Sequence, residues 1–375
     1  MIPFNIPVLP ASTQSYFEKV LGTRKFSGDG EFTKACNRIL EEYCHTPKAL
    51  LTTSCTHALE VSAILSEIRE GDEVIMPSFT FVTTANAFVM RGATIVFVDI
   101  TPGTMNMDAA QIEKAITPKT RAIVPMHYGG VACDMETILS VAQKHQLRVV
   151  EDAAQGLGAF YKDKSLGSLG DFGTFSFHDT KNIHCGEGGA LLINNQAFVE
   201  RAEIIREKGT DRSRFVRGLV DKYTWRDIGS SYLPSEFNAA ILYPQLLDID
   251  GISQKRLSIW NQYNQALQPL AEKGLIQLPV VPEGCRHNGH VFFIKCKDQE
   301  ERNRLMAYLK SKEVFAVSHY VPLHSSPAGQ KFGRFSGEDK YTTRESERLL
   351  RLPLYYDLSQ DQAAEVTDHL FQFYA

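Results

Sequence analysis

The chain has 375 residues, more than a single hydrophobic core usually accommodates, so two domains are the default expectation. It is 43% hydrophobic and 22% charged with a net charge of −4, which gives no reason to expect nucleic acid or an anionic membrane as a partner. Seven cysteines stand singly with no C-x-x-C pair, which argues against a disulfide framework or a zinc site; with no signal-peptide pattern or membrane-length apolar run, a reducing cytoplasm is the expected location.

From residue 48 to about 195, short apolar runs alternate with helical patterns. "KALLTTS", "DEVIMPS", "TIVFVDI", "RAIVPMHY", "LRVVED", "GTFSFH" and "GALLIN" read as buried strands edged by Gly, Pro, Ser or Asp. After "TSCT", Ala58, Val61, Ile64, Leu65 and Ile68 fall on one helical face. Strands alternating with helices imply an α/β fold with a mostly parallel sheet covered on both faces and ligands at the carboxyl ends of its strands. Past residue 235 the texture changes. A long helical segment follows, with Pro244 as its expected kink or break. Then come two strand-like runs, "HVFFIKC" and "VFAVSHYV", and a final helix whose Ser359 and Gln362 form a capping box. A boundary near 245 gives a large domain, 1–245, and a smaller α+β domain, 246–375.

Three features can carry chemistry. Asp152 ends the apolar strand "RVVED", where an acid either caps the next helix or holds a protonated ring nitrogen, as pyridoxal-phosphate enzymes require. Ser54, Cys55 and Thr56 lie between a strand and a helix, where free N–H groups cap the helix or hold an anion. There is no G-x-x-x-x-G-K-[ST], and no G-x-G-x-x-G follows the first strand, so neither a triphosphate loop nor a dinucleotide site is supported. Lys181 follows the strand "TFSFH" and precedes the glycine cluster "GEGGA". A lone lysine is usually a solvated charge, but a desolvated one is a nucleophile towards aldehydes. Together the three supply the parts for a phosphate, a pyridinium nitrogen and a Schiff base.

The segments "GDGEFT", "TSCTHALE", "PSFTFVTTANA", "GATIVFVDI", "PMHYGG", "VVEDAAQ", "FSFHDTKN" with "GEGG", "REKGTDRS", "YVPLH" and "LPLYYDLS" occur in that order nearly end to end. In them the chain resembles the DegT/StrS nucleotide-sugar aminotransferases, and the resemblance implies a type I aminotransferase fold with pyridoxal 5'-phosphate as cofactor. Lys181 would bind the cofactor as a Schiff base and move the proton; Asp152 would pair with the pyridinium nitrogen. Gln155 would bond the phenolic oxygen and Phe81 would stack on the ring. Cys55, Thr56 and Ser176 would bind the phosphate. Many relatives add an asparagine from the partner subunit in a G-Y-x-Y-N segment; this chain has Leu233 there, so either one chain alone holds the phosphate or, as is expected here, Ser230 or Ser231 takes over. Relatives with histidine at the lysine position catalyse deoxygenation, so Lys181 implies transamination.

The resemblance also implies a homodimer with sites at the interface, L-glutamate as amino donor, and dTDP-4-dehydro-6-deoxy-D-glucose as acceptor for a surface polysaccharide. Of the possible products, "KYTWRDIGSSYL" and "EIIREKGTDRS" favour the galacto-configured C4 amine over the gluco amine or a C3 amine. Residues 206–226 hold seven basic residues, Arg212 and Arg226 among them, against three acids, enough to clamp a diphosphate. His178, His319 and His324 fall near positions that line the sugar pocket, although a lone histidine is usually structural.

Overall fold

The computed structural model describes residues 1–375. All seven apolar runs form strands: β1 (Lys48–Thr52), β2 (Glu73–Pro77), β3 (Thr94–Val98), β4 (Thr120–Ile123), β5 (Arg148–Asp152), β6 (Phe172–Ser176) and β7 (Gly189–Ile193). They join one sheet in the order β1–β7–β6–β5–β4–β2–β3. The neighbours from β6 to β3 run parallel, while β7 lies antiparallel to both β1 and β6. Two apolar layers enclose the sheet. On one, the helix Cys55–Leu65 and Phe88 pack on Val74, Ile95 and Val150; on the other, Ile112 and Ile138 pack on Ile75, Val96 and Val149. The alternation of each strand therefore sends successive side chains to opposite, equally buried layers.

Downstream, β8 (Phe292–Lys295) pairs antiparallel with a later strand over Leu349–Leu352, and both carry a separate core containing Tyr263, Leu305, Val314 and Leu370. Gly333–Phe335, call it β9, leaves this part of the chain and adds to the edge of the main sheet, parallel to β3. Leu349–Leu352 is accordingly β10. Two expectations change. The long helix breaks at Leu247 and Asp248 rather than at Pro244, which lies within the helix Glu236–Leu246 ahead of a second helix, Ile249–Ala266. "VFAVSHYV" forms no strand: Val314 bridges Ile2 and Val317 bridges Arg351, each as a single pair. The final helix, Gln360–Tyr374, starts at the capping box of Ser359 and Gln362. No helix is long and apolar enough to cross a membrane.

"GDGEFT" is explained by what it touches. The buried Glu236 carboxylate accepts from the N–H groups of Gly30 (3.1 Å), Phe32 (2.9 Å) and Thr33 (3.1 Å), and from the Thr33 hydroxyl. It thereby caps the helix Glu31–Cys44 from a helix some 200 residues further on in the chain. A Cβ at Gly30 would lie 2.4 Å from Glu236 Cδ, so only glycine admits the carboxylate. Asp29 takes both its oxygens to Arg206 Nη2, at 2.8 and 2.9 Å. Replacing Glu236 by alanine strands three buried N–H groups and should cost about 3 kcal/mol. Chemical denaturation should show a lower midpoint for Glu236→Ala than for wild type; equal midpoints would refute this role.

Candidate active site

Asp152 ends β5 and is 4% exposed. Its Oδ2 accepts the Thr84 hydroxyl at 2.6 Å and its Oδ1 the Ala154 N–H at 3.1 Å, but no cation touches it. Burial raises its pKa, and these two hydrogen bonds only partly oppose that. The strand holds it firmly: Asp152 N–H donates to Pro125 O at 2.9 Å and its carbonyl accepts from His127 N–H at 3.1 Å. The next residue back, Glu151, points to the opposite face. It accepts from the N–H groups of Gly167, Leu169 and Gly170 and lies 3.0 Å from His127 Nε2. Cys133 N–H donates to His127 Nδ1, so the ring proton sits on Nε2 towards Glu151.

Lys181 sits in the loop between β6 and β7, its N–H on His178 O at 2.9 Å. The side chain as a whole keeps some exposure, but its amine is desolvated and its pKa is lowered chiefly for that reason. Cys55 and Asp152 are close enough to raise it again in part, and Arg351 close enough to lower it. No protein group accepts a hydrogen bond from or pairs with the amine. Two groups that water would keep charged are thus held in one low-dielectric region, each pushed towards neutrality.

Ser54 caps the helix Cys55–Leu65 by accepting from His57 N–H at 3.1 Å, which leaves the first N–H groups of the helix for a ligand. Ser176 at the end of β6 pairs with Gly189, and a Cβ on Gly189 would lie 2.3 Å from Cys55 N. The glycine cluster therefore serves close approach of the loop to the helix start. Cys55 is buried and Thr56 partly so. Tyr232 O accepts from Thr53 N–H at 2.9 Å, which carries Ser230 and Ser231, both exposed, past the same turn. Phe81 is 54% exposed at the start of the helix Val82–Val89, 6.2 Å between centroids from Tyr320. Gln155 is fixed at both ends: Oε1 accepts from Gly129 N–H at 2.6 Å and Nε2 donates to Tyr320 Oη at 3.1 Å.

The residues expected to meet a sugar nucleotide are spread more widely. His319 stacks on Tyr320 (3.9 Å, 14°), and its Nε2 lies 2.6 Å from Arg351 Nη1; burial pushes its pKa down to about 2. His324 bridges Ser78 Oγ (2.7 Å) and Asp339 Oδ2 (3.2 Å). His178 faces its own loop, 3.0 Å from Asp179 and 3.7 Å from Glu187. The arginines of the basic segment are all paired with acids of the chain: Arg206 with Asp29, Arg212 with Glu207, Arg214 with Glu200, Arg217 with Glu203, and Arg226 with Asp211. Thr84, Tyr320 and Arg351 were not singled out in the sequence. Thr84 had one available signal, a hydroxyl four residues after Thr80, to which it is bonded at 2.7 Å.

The DegT/DnrJ/EryC1/StrS aminotransferase family model matches residues 8–371. The chain belongs to this family. Among similar proteins, the spore coat polysaccharide biosynthesis protein SpsC of Bacillus subtilis is 35% identical over 85% of this chain and 84% of its own. GDP-perosamine synthase of Caulobacter vibrioides is 34% identical over 84% of this chain and 85% of its own. Among solved structures, the aminotransferase TlmJ from Streptoalloteichus hindustanus matches at a TM-score of 0.92 and 26% identity, covering 100% of this chain and 99% of its own. NtdA from Bacillus subtilis with bound cofactor PMP matches at 0.86 and 29% identity, covering 96% and 81%. The protein is a sugar aminotransferase of type I fold that works with pyridoxal phosphate.

The buried Asp152, with no cation of its own, fits a protonated ring nitrogen, and the desolvated Lys181 amine fits a cofactor aldehyde. Without cofactor, the raised pKa means that Asp152 binds its proton more tightly folded than unfolded. Its ionisation therefore removes stability as pH rises from about 4 through the raised value. Cofactor-free Asp152→Asn should melt no lower than wild type at neutral pH, the gap closing below about pH 4. A lower melting temperature for the variant at neutral pH would contradict the unpaired-acid reading.

Proposed function

We propose that this aminotransferase moves the amino group of L-glutamate to C4 of dTDP-4-dehydro-6-deoxy-D-glucose, giving the galacto-configured 4-amino sugar nucleotide for a surface polysaccharide and 2-oxoglutarate. What supports it most is the pairing of an amine lowered by burial with a buried acid that lacks a cation, at one sheet edge. When bound, pyridoxal phosphate supplies an electron sink and carries the amino group between donor and sugar. The chain's residues do the rest. Asp152, fixed by Thr84 and Ala154, keeps the ring nitrogen protonated. Lys181, neutral more readily than a solvated lysine, takes the proton from the donor α-carbon and returns one to the sugar carbon.

Cys55, Thr56 and Ser176 hold the phosphate at the start of the helix Cys55–Leu65, while Gln155 orients the ring through its amide and Phe81 covers a face. We assign Ser230 and Ser231 to the phosphate of a second subunit, because both are exposed and the chain is read as a homodimer. For the same reason Phe81, 54% exposed, is read as completed by a partner. His178, Arg212, Arg226, His319 and His324 stay assigned to the sugar-nucleotide side, with the arginines exchanging their present acids for phosphate. The similarity to GDP-perosamine synthase favours one second reading, C4 amination of another nucleotide sugar.

The wild-type protein with pyridoxal phosphate should show a near-visible band that glutamate bleaches and the dTDP-4-keto sugar restores. Lys181→Ala should show no such cycle, with turnover reduced by at least about a thousandfold. NMR of the product should show the C4 amine axial. A colourless wild-type protein would overturn the function; an equatorial or C3 amine would overturn only the product.

A further inference from the structure

Arg351 lies in β10 and is 9% exposed, yet no acid forms an ion pair with it. Both of its hydrogen bonds go through Nη1 to the His319 ring, at 2.6 and 3.4 Å. Phe4 covers the face of the guanidinium at 4.7 Å. Its Nε is buried without a partner, and Nη2 bonds to nothing in the chain. The edge without a partner is therefore the Nε/Nη2 edge, the one that meets a carboxylate or phosphate with two parallel hydrogen bonds. A buried cation left this way is costly unless something else completes it. By contrast Arg256, also buried without an acid, is satisfied by three backbone carbonyls, those of Gly289, His290 and Leu354.

The surroundings say where that edge belongs. His319 carries Arg351 onto Tyr320 by stacking, and Tyr320 reaches Gln155 at 3.1 Å and Phe81 across 6.2 Å. Tyr128 Oη closes the other side, 3.3 Å from His319 Nδ1. These neighbours are neutral or aromatic, and the guanidinium is near enough to bias the Lys181 amine. Resting on the reading of the site given above, we propose that Arg351 is the anchor for the carboxylate of the amino-acid donor, a residue that neither the family resemblance nor the motifs assign. Both substrates carry anions, but only one places its anion next to the reacting carbon. The donor's α-carboxylate is bonded directly to the carbon whose proton Lys181 takes. The diphosphate is attached to the anomeric carbon, three ring bonds from C4. An arginine joined through His319 and Tyr320 to Gln155, the residue read as holding the ring, matches the first geometry.

Calorimetric titration of the cofactor-loaded protein with glutarate and, separately, with dTDP tests the assignment, using wild type, Arg351→Gln and Arg351→Lys. Glutarate should bind Arg351→Gln about a hundredfold more weakly and Arg351→Lys about tenfold more weakly, because lysine keeps the charge but not the fork. The affinity for dTDP should stay within about threefold, and the KM for glutamate in the bleaching reaction should rise more than kcat falls. Should Arg351→Gln fail to fold, the Arg351→Lys titrations decide. Loss of dTDP binding instead would reassign Arg351 to the diphosphate. Equal loss for both probes with a lowered melting point would make it a support for His319, and unchanged glutarate binding would exclude it. Failure of the enzyme reading is distinct: then the wild-type protein itself shows no band for glutamate to bleach.

Discussion

The site depends on burying ionisable groups without pairing them. Asp152 and Arg351 lack an ion-pair partner in the chain, and the Lys181 amine lacks any protein partner. The fold could relieve this by placing acids and bases in contact, as it does for Lys295 and Glu345, whose atoms lie 2.7 Å apart in the smaller core. At the carboxyl edge of the main sheet it does not. On the reading proposed above, each unpaired group is complementary to part of a ligand: a ring nitrogen, an aldehyde, a carboxylate. Stability given up in the free protein is recovered when those ligands bind, which is how a preorganised site obtains affinity for a charged cofactor.

Holding such groups in place needs a scaffold that is itself fully satisfied. β5 shows the division of labour within two adjacent residues. Glu151 spends its oxygens on three N–H groups and His127, locking the loop over residues 167–170 to the strand. Asp152, on the other face, is fixed by Thr84 and Ala154 but has no cation of its own and stays available. The basic segment follows the opposite logic. Its five arginines are neutralised by acids, three of which (Glu203, Glu207 and Asp211) are buried. A diphosphate arriving there competes with carboxylates already in place, so any binding gains specificity at some loss of affinity.

Much of this was legible because the chain's local patterns agree with its fold. Each of the seven apolar runs was bounded by turn-forming residues and became a strand of the main sheet, and the strand-end position of Asp152 followed from its place in "RVVED". The parts that were not legible are those fixed by partners far along the chain. β9 joins β3 from over 200 residues away, and nothing within "GRF" marks it as an edge strand. "VFAVSHYV" has strand composition but only single bridging pairs, so its backbone never enters a ladder. Pro244 is accommodated inside its helix, while the break comes at Leu247 and Asp248. Arg351 looked like one charge in "ERLLRLPLYY". Its meaning comes from His319 and Tyr320, which the fold brings to it.

The measurement that tests the central claim most directly is NMR of the bound cofactor carrying an isotope label at its ring nitrogen, in wild type and in Asp152→Asn. If a buried, otherwise unpaired Asp152 is what the ring nitrogen completes, that nitrogen is protonated throughout the neutral pH range in wild type and loses its proton in the variant. An unprotonated ring nitrogen in wild type, or the same signal in both proteins, would contradict the account.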